Sequence, residues 1–472
     1  MEILHVSAEC YPMAKAGGLA DVVGALPKYQ QQLGHYAKVV MPMHRTKFLY
    51  ENEWEVAHKG NFTMGSMNFD FTIIKEKGNK LGFDLYCVDI YGLLDREKIY
   101  SYDDDTERFT AFQLAVLEWI AQWEHRPDIV HVHDHHAGLI PFMMRYCFKY
   151  QHLAGIRTVL TIHNAQYQGW MGWDKVSYLP SWDTWKWGLL DWDNTINPLA
   201  SAIKCADKVN TVSPGYMQEL MHEANGLESL FNYEMGKCSG IINGIDYAVW
   251  DPQKDTYILD NYGVKDCRHG KALNKKQLCD RFGFDIKYPL IIFIGRLVHE
   301  KAADLLPESF NRAFHDLPKK FSCLVLGSGE KSVEKALVNL QGNWVGYYNT
   351  QIDYNEKLSH QMYAGADFIL MPSRVEPCGL NQLYSMRYGT VPVVRRTGGL
   401  RDTVIDFGDE GGYGICFNNA SVDDIVYSID RATQLYEDKH KMDEIRERMM
   451  QINNSWESSA QKYIDLYNSI LH

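Results

Sequence analysis

Lys15-Ala-Gly-Gly-Leu-Ala-Asp21 returns in altered form as Arg396-Thr-Gly-Gly-Leu-Arg-Asp402, one copy in each half of a 472-residue chain. Each copy follows a short apolar run and opens an amphipathic stretch, so each reads as the turn from a strand into a helix. Paired glycines there let backbone N–H groups approach a ligand closely, and a helix start favours negative charge. Neither copy is the G-x-G-x-x-G fingerprint or a P-loop. One copy alone would read as a tight turn. Two, each led by a cation, point to phosphate or sugar contact.

Outward from these turns, the βαβ rhythm of a parallel sheet covered by helices fills both halves. Ile3–Ser7, Ala37–Met41, Asp128–His133, Thr158–His163 and Lys208–Ser213 read as buried strands in the first half. Pro289–Gly295, Phe321–Gly327, Phe368–Pro372 and Thr390–Val394 repeat the pattern in the second. Asn243–Lys254 carries Asn-Gly and Asp-Pro turn dipeptides, which puts a domain boundary near residue 246. The expected domains are 1–245 and 246–448, each an α/β doubly wound parallel sheet, followed by a helical C-terminal stretch at about 449–472.

The balance of 48 Lys plus Arg against 60 Asp plus Glu gives a formal charge of −12. That excludes a nucleic acid as the main partner, because a polyphosphate needs a basic face, yet it permits a local basic pocket. Apolar residues make up 46% and charged residues 23%, as in an ordinary globular protein. Ten scattered cysteines without a CxxC pair suit a reducing compartment. The start Met-Glu-Ile-Leu-His-Val has no basic segment before an apolar run, and no stretch approaches the roughly 18 apolar residues of a membrane span. A cytoplasmic protein without membrane attachment is expected.

Several strand-end strings carry chemistry. Arg296 can fork onto phosphate oxygens, and Lys301 adds a compact charge five residues on, together enough to neutralise a diphosphate leaving group. In Pro372-Ser-Arg-Val-Glu376-Pro-Cys-Gly-Leu380, a carboxylate between prolines precedes a helix start whose N–H groups, at Cys378, Gly379 and Leu380, could hold sugar hydroxyls. His131-Val-His133-Asp134-His135-His136 is the most metal-like string, and a zinc-dependent hydrolase is the second functional class it suggests. With no acidic ligand cluster to complete a shell, the string reads better as a polar cleft lining, joined by His163 and Asn164 at the next strand end. Six of the twelve tryptophans fall between Trp170 and Trp192, either packed or offering ring faces to sugars; a non-catalytic glycan-binding protein is the third class.

Taken together, these strings resemble the bacterial glycogen synthase and plant starch synthase family. The resemblance runs over most of the chain. It rests on Lys15–Asp21, His133-Asp134, Thr161-Ile-His163-Asn164, Thr211-Val-Ser-Pro214, Asn243-Gly-Ile-Asp246, Gly295-Arg296, Lys301, Glu376–Leu380, Tyr388–Pro392 and Arg395–Leu400. It implies a GT-B glycosyltransferase, two Rossmann-like domains facing a deep cleft, with the final helix packed back on the first. The implied reaction moves glucose from ADP-glucose, or UDP-glucose, to the non-reducing end of an α-1,4-glucan such as glycogen. Configuration would be retained, with neither metal nor cofactor, and a homo-oligomer is compatible with it.

By that resemblance His163, Arg296, Lys301 and Glu376 would be catalytic. Lys15, Gly18, Asn243, Tyr354, Cys378, Gly379, Leu380, Thr397 and Gly398 would bind the donor, Tyr354 by stacking on the base. Glu9, Asp21, Tyr102, Asp134 and Asn164 would face the acceptor. Three positions depart from the family's usual pattern: His135 replaces a common Trp, Ala302 a usual Gly, and Asp104-Asp105 a common Asp-Asn.

Overall fold

The computed structural model describes residues 1–472 and forms two compact units, 1–243 with 456–472, and 244–455. In the first unit the chain lays down β1 (Glu2–Val6), β2 (Tyr36–Pro42), β3 (Trp54–Met64), β4 (Met67–Glu76) and β5 (Asp84–Asp89). Then come β6 (Ile129–His133), β7 (Arg157–Ile162), the short β8 (Asp191–Trp192) and β9 (Thr195–Ile196), β10 (Lys208–Thr211) and β11 (Cys238–Gly240). Nine of them form one sheet in the order β11-β10-β7-β6-β1-β2-β5-β4-β3, and β8 pairs separately with β9. The sheet is parallel up to β5; β4 and β3 add an antiparallel hairpin at its edge.

Parallel strands such as β13 and β15 are buried along their whole length and read as apolar runs. The hairpin does not, because β3 alternates toward solvent over most of its length.

The second unit holds β12 (Leu290–Ile294), β13 (Ser322–Gly327), β14 (Tyr348–Ile352), β15 (Phe368–Met371), β16 (Val391–Arg395) and β17 (Ile415–Phe417). All are parallel, in the order β14-β13-β12-β15-β16-β17. Asp367, buried ahead of β15, is held by Lys275 and Arg446, each at 2.8 Å, which keep its carboxyl down at about 2 despite burial.

Arg446 sits on the helix Lys439–Met450, whose Met449 and Met450 are buried in this second core. The return to the first unit therefore begins at Trp456 rather than near 449. From there Trp456, Ala460, Tyr463, Ile464 and Tyr467 line one face of the helix Trp456–Leu471 and pack with Ile3, Val22, Leu26 and Ile129. All ten cysteines are free thiols. No helix is long and apolar enough to cross a membrane.

Candidate functional site

In each unit the sheet order reverses at its first strand, and ligands of open α/β sheets bind at the carboxyl ends beside such a reversal. In the first unit that point lies between β1 and β6, in the second between β12 and β15. Glu9, Lys15 and Gly18 follow β1, Asp134 follows β6, Arg296 and Lys301 follow β12 and Glu376–Leu380 follow β15, while His163 and Asn164, Asn243, Tyr354 and Thr397–Gly398 follow β7, β11, β14 and β16.

After β1, the Glu9 carboxylate accepts hydrogen bonds from the backbone N–H groups of Ala16 and Gly17 and from the Tyr100 hydroxyl. Glu9 is buried and its carboxyl is pushed up by desolvation. It holds the glycine turn in place. The turn itself is open: a Cβ at Gly17 or Gly18 would meet nothing within 4 Å. Packing does not require glycine here. Lys15 forms an ion pair with Asp21 at 2.8 Å, so Asp21 too has a partner within the chain.

After β6, Asp134 has φ +57° and ψ −172°, a conformation nearly reserved for glycine that costs about 1–3 kcal/mol. Its Oδ1 accepts from the His163 N–H at 2.7 Å, fixing the end of β7, and burial raises its carboxyl to about 7. Asn164 is half-buried and its Oδ1 accepts from the Gln166 N–H. Tyr102 lies between the guanidinium groups of Arg96 and Arg108, 4.8 and 4.7 Å from its ring. The extra acid beside it has a counter-ion, since Asp104 is paired with Arg96 and Asp105 with Arg108. Asn243 is buried with its Oδ1 unpartnered.

The most metal-like string of the sequence packs against a further histidine, His5 of β1. His5, His131 and His133 have ligand atoms within 4.8 Å of one another. Both nitrogens of each ring, however, already meet groups of the chain. His135 packs against Gly169, where a Cβ would lie 2.4 Å from its Nδ1, so this substitution is fitted to a glycine 34 positions on.

In the second unit, Lys301 Nζ meets both Glu376 oxygens at 2.7 Å, and the Ser373 hydroxyl donates to Oε2 at 2.8 Å. The sequence suggested separate jobs for Lys301 and Glu376. The structure joins them in one ion pair, with the carboxylate buried and the lysine 23% exposed. The loops are locked by their backbones, as the N–H groups of Arg374 and Val375 both donate to the Glu300 carbonyl. Arg296 is largely exposed, 3.8 Å from Glu300. Ala302 takes φ +56° and is fully buried, so the residue that replaces a usual glycine does occupy a left-handed position.

Gly398 and Gly399 differ from the first glycine pair. A Cβ on them would lie 2.1 Å from the Glu376 carbonyl oxygen and 2.0 Å from that of Cys378. These two glycines, with Thr397 ahead of them, are packed against the backbone that carries Glu376, Cys378, Gly379 and Leu380. Gly379 itself has φ +75°. Tyr354, in the loop after β14, is 80% exposed and presents its ring to solvent.

The chain matches two protein families in succession: the starch synthase catalytic domain over residues 2–233 and glycosyl transferases group 1 over residues 274–449. It is 53% identical to a glycogen synthase of Flavobacterium johnsoniae, with 100% of this chain and 99% of the relative covered. The chain belongs to the glycogen and starch synthase family. A glycogen synthase of Bacillus cereus is 36% identical over the full length of both chains. The catalytic domain of starch synthase IV from Arabidopsis thaliana, solved with ADP and acarbose, superposes with a TM-score of 0.88 at 29% identity, covering 99% of each chain. Sucrose-phosphate synthase from Thermosynechococcus elongatus shares the fold at 17% identity and a TM-score of 0.64, over 99% of this chain and 98% of that one. The protein is thus a glycosyltransferase of glycogen/starch synthase type with the GT-B fold, which removes the hydrolase and the non-catalytic binder.

Sequence reasoning missed Tyr100, Ser373, His5 and Tyr467, which hold the named residues in place. His5 and Tyr467 carried a faint signal as polar groups within apolar strand and helix faces. The tryptophan cluster divides. Trp182 packs on Phe142, while Trp170, Trp187 and Trp192 line a cavity of about 770 Å³ with Lys204 and Asn225. The indole N–H of Trp170 is held by Gln168 and that of Trp192 by the Gly226 carbonyl, so the rings are fixed by their edges.

Proposed function

We propose that this glycosyltransferase moves glucose from ADP-glucose to the non-reducing end of an α-1,4-glucan with retention of configuration. The observation that carries the reading is the Lys301–Glu376–Ser373 cluster beside Arg296 at the switch point of the second sheet. Arg296 and Lys301 supply the positive charge that a departing diphosphate needs, and Glu376 orients Lys301 while offering its other lone pairs to sugar hydroxyls. Lys15, the bare backbone at Gly18 and the Thr397–Gly398 turn are assigned to phosphate. The N–H groups of Cys378, Gly379 and Leu380, with His163, are assigned to glucose, Asn243 to the donor, and Tyr354 to the base.

Glu9, Asp21, Tyr102, Asp134 and Asn164 are assigned to the acceptor side. ADP as the donor nucleotide is supported by the ADP in the Arabidopsis structure.

Retention is assigned to a front-face route through an oxocarbenium-like state, the leaving phosphate helping to deprotonate the acceptor. Both candidate nucleophiles are otherwise engaged, Glu376 by Lys301 and Asp134 by the His163 N–H. A glucosyl ester trapped on either carboxylate would overturn this route.

Initial rates with ADP-glucose and UDP-glucose, using glycogen as acceptor, test the reading. The expected result is faster transfer from ADP-glucose by at least about tenfold, with new α-linkages in the product. Equal or better use of UDP-glucose overturns the donor assignment. Transfer from neither overturns the function.

The Trp170–Trp187–Trp192 cavity is assigned to glucan chains, because fixed ring faces suit the apolar faces of sugars. Trp187→Ala is expected to raise the half-saturating glycogen concentration by roughly fivefold, the size of one aromatic contact. The KM for donor should stay put. An unchanged glycogen dependence removes this contact.

A further inference from the structure

A chain of hydrogen bonds ends at His163, and its sense can be worked out from the other end. The Thr211 carbonyl oxygen can only accept, and Asn210 Nδ2 lies 3.2 Å from it. The two hydrogens of Nδ2 thus go to Thr211 O and to the Tyr463 hydroxyl, which leaves Asn210 Oδ1 facing Thr161 Oγ1 as an acceptor. The Thr161 hydroxyl spends its proton there, so it must receive one from His131 Nε2 at 2.6 Å. His131 Nδ1 is then bare and takes the Tyr467 O–H at 2.6 Å.

Tyr467, having donated, accepts from Gln30 Nε2 at 3.1 Å, which turns Gln30 Oε1 toward His5 Nε2 at 2.7 Å. His5 must carry its proton on Nε2, so its bare Nδ1 accepts from His133 Nε2 at 3.0 Å. The same step repeats once more: His133 Nδ1 is bare and accepts from His163 Nε2 at 3.0 Å.

Every link before His163 is buried at 0% exposure, shut off from bulk water. Burial also keeps the rings neutral, pushing His5 to about 4, His163 to about 3, and His131 and His133 well below their usual range.

We propose that this chain is a positioning device: it holds His163 in the single tautomer with Nε2 protonated and Nδ1 bare, so that the imidazole meets substrate only as an acceptor. The inference rests on the assignment of His163 to the glucose. A bare Nδ1 accepts a hydrogen bond from a sugar hydroxyl and repels a phosphate oxygen, so His163 reads the sugar and not the diphosphate. Gln30, His5, His131, His133 and Tyr467 act through it as positioning residues. The C-terminal helix gains a second task here, since it supplies Tyr467 to a site built 336 positions earlier in the chain.

Nitrogen-15 NMR of the full-length protein labelled at histidine tests this, with the His163 signals identified by their loss in His163→Gln. A bare ring nitrogen and a protonated one differ widely in shift. Wild-type protein is expected to show Nδ1 bare and Nε2 protonated. Tyr467→Phe removes both the donor to His131 and the acceptor of Gln30, frees the amide to turn, and is expected to give a mixture of tautomers. Its kcat/KM for glucose transfer should fall in proportion to the fraction of His163 that bears Nδ1–H.

Tyr463→Phe removes a buried hydroxyl from the same helix but leaves Asn210 fixed by Thr211 O. It is expected to keep one tautomer and wild-type turnover. Nδ1–H in the wild type, a single tautomer in Tyr467→Phe, or a mixture without loss of transfer overturns the proposal. A protein that transfers glucose from no donor, yet shows Nδ1 bare, overturns the assigned function and leaves the tautomer standing.

Discussion

Lys301→Ala is expected to lower turnover by roughly 10²–10³-fold, the usual loss when one preorganised charge stabilising a leaving group is removed. The backbone should survive the change. Glu300 O still receives the N–H groups of Arg374 and Val375, and Arg374 still pairs with Asp304 at 2.6 Å.

Stability will nevertheless drop, because Glu376 is 5% exposed and would keep only Ser373 as a partner. An orphaned carboxylate of this kind costs about 3 kcal/mol when fully buried, and less here because Lys301 is partly exposed. The double variant Lys301→Ala with Glu376→Gln separates the two effects. It removes the unpaired charge and should regain most of the lost stability while transfer to glycogen stays low. If the double variant recovered turnover along with its melting temperature, Lys301 would be a counter-ion to Glu376 and nothing more. Near-normal transfer by Lys301→Ala alone would remove it from the leaving-group clamp.

How much of this was legible beforehand differs between framework and site. The run Pro289–Gly295 marked β12 to within a residue at each end, because a strand buried on both faces leaves an unbroken apolar signature. The hairpin Trp54–Glu76 left none, since its residues alternate to water and a bulge near Val56 shifts its register. β14 (Tyr348–Ile352) was hidden in the same way, as an edge strand carrying Asn349, Thr350 and Gln351.

Site residues were legible as types because they follow strand ends with glycine, proline and histidine around them. Their partnerships were not. Lys301 and Glu376 are 75 positions apart, Tyr100 and Glu9 are 91, and no local period links them. For the same reason the sequence did not show that Glu9 joins the glycine turn to Tyr100. The departure at Ala302 could be flagged from sequence, but its left-handed backbone had to be observed.

The repeated glycine pair shows the same limit, and leads to the second large effect. Gly399→Ala is expected to destabilise the second unit by about 3 kcal/mol, the upper end of what overpacking does, and to lower its melting temperature by several degrees. The new Cβ would sit 2.0 Å from Cys378 O and 2.5 Å from Cys378 C and Cα, which are backbone atoms and cannot swing aside. Nor can the glycine retreat, because its N–H is shared between the carbonyls of Glu376 and Pro377, each at 3.1 Å.

Gly18→Ala should do the opposite. It stands at the first position of the helix Gly18–Gln32 with open space around it, so alanine should leave stability unchanged or raise it by up to about 1 kcal/mol. Activity should suffer there, with a higher KM for the nucleotide sugar, because the methyl group would stand where phosphate is assigned. Thermal unfolding and initial rates on the two variants check both halves. Comparable destabilisation by Gly18→Ala, or a wild-type melting temperature for Gly399→Ala, would mean that the two glycine turns do one job after all. The expected split says that one motif is glycine-rich to admit a ligand, and its echo to admit the chain's own backbone.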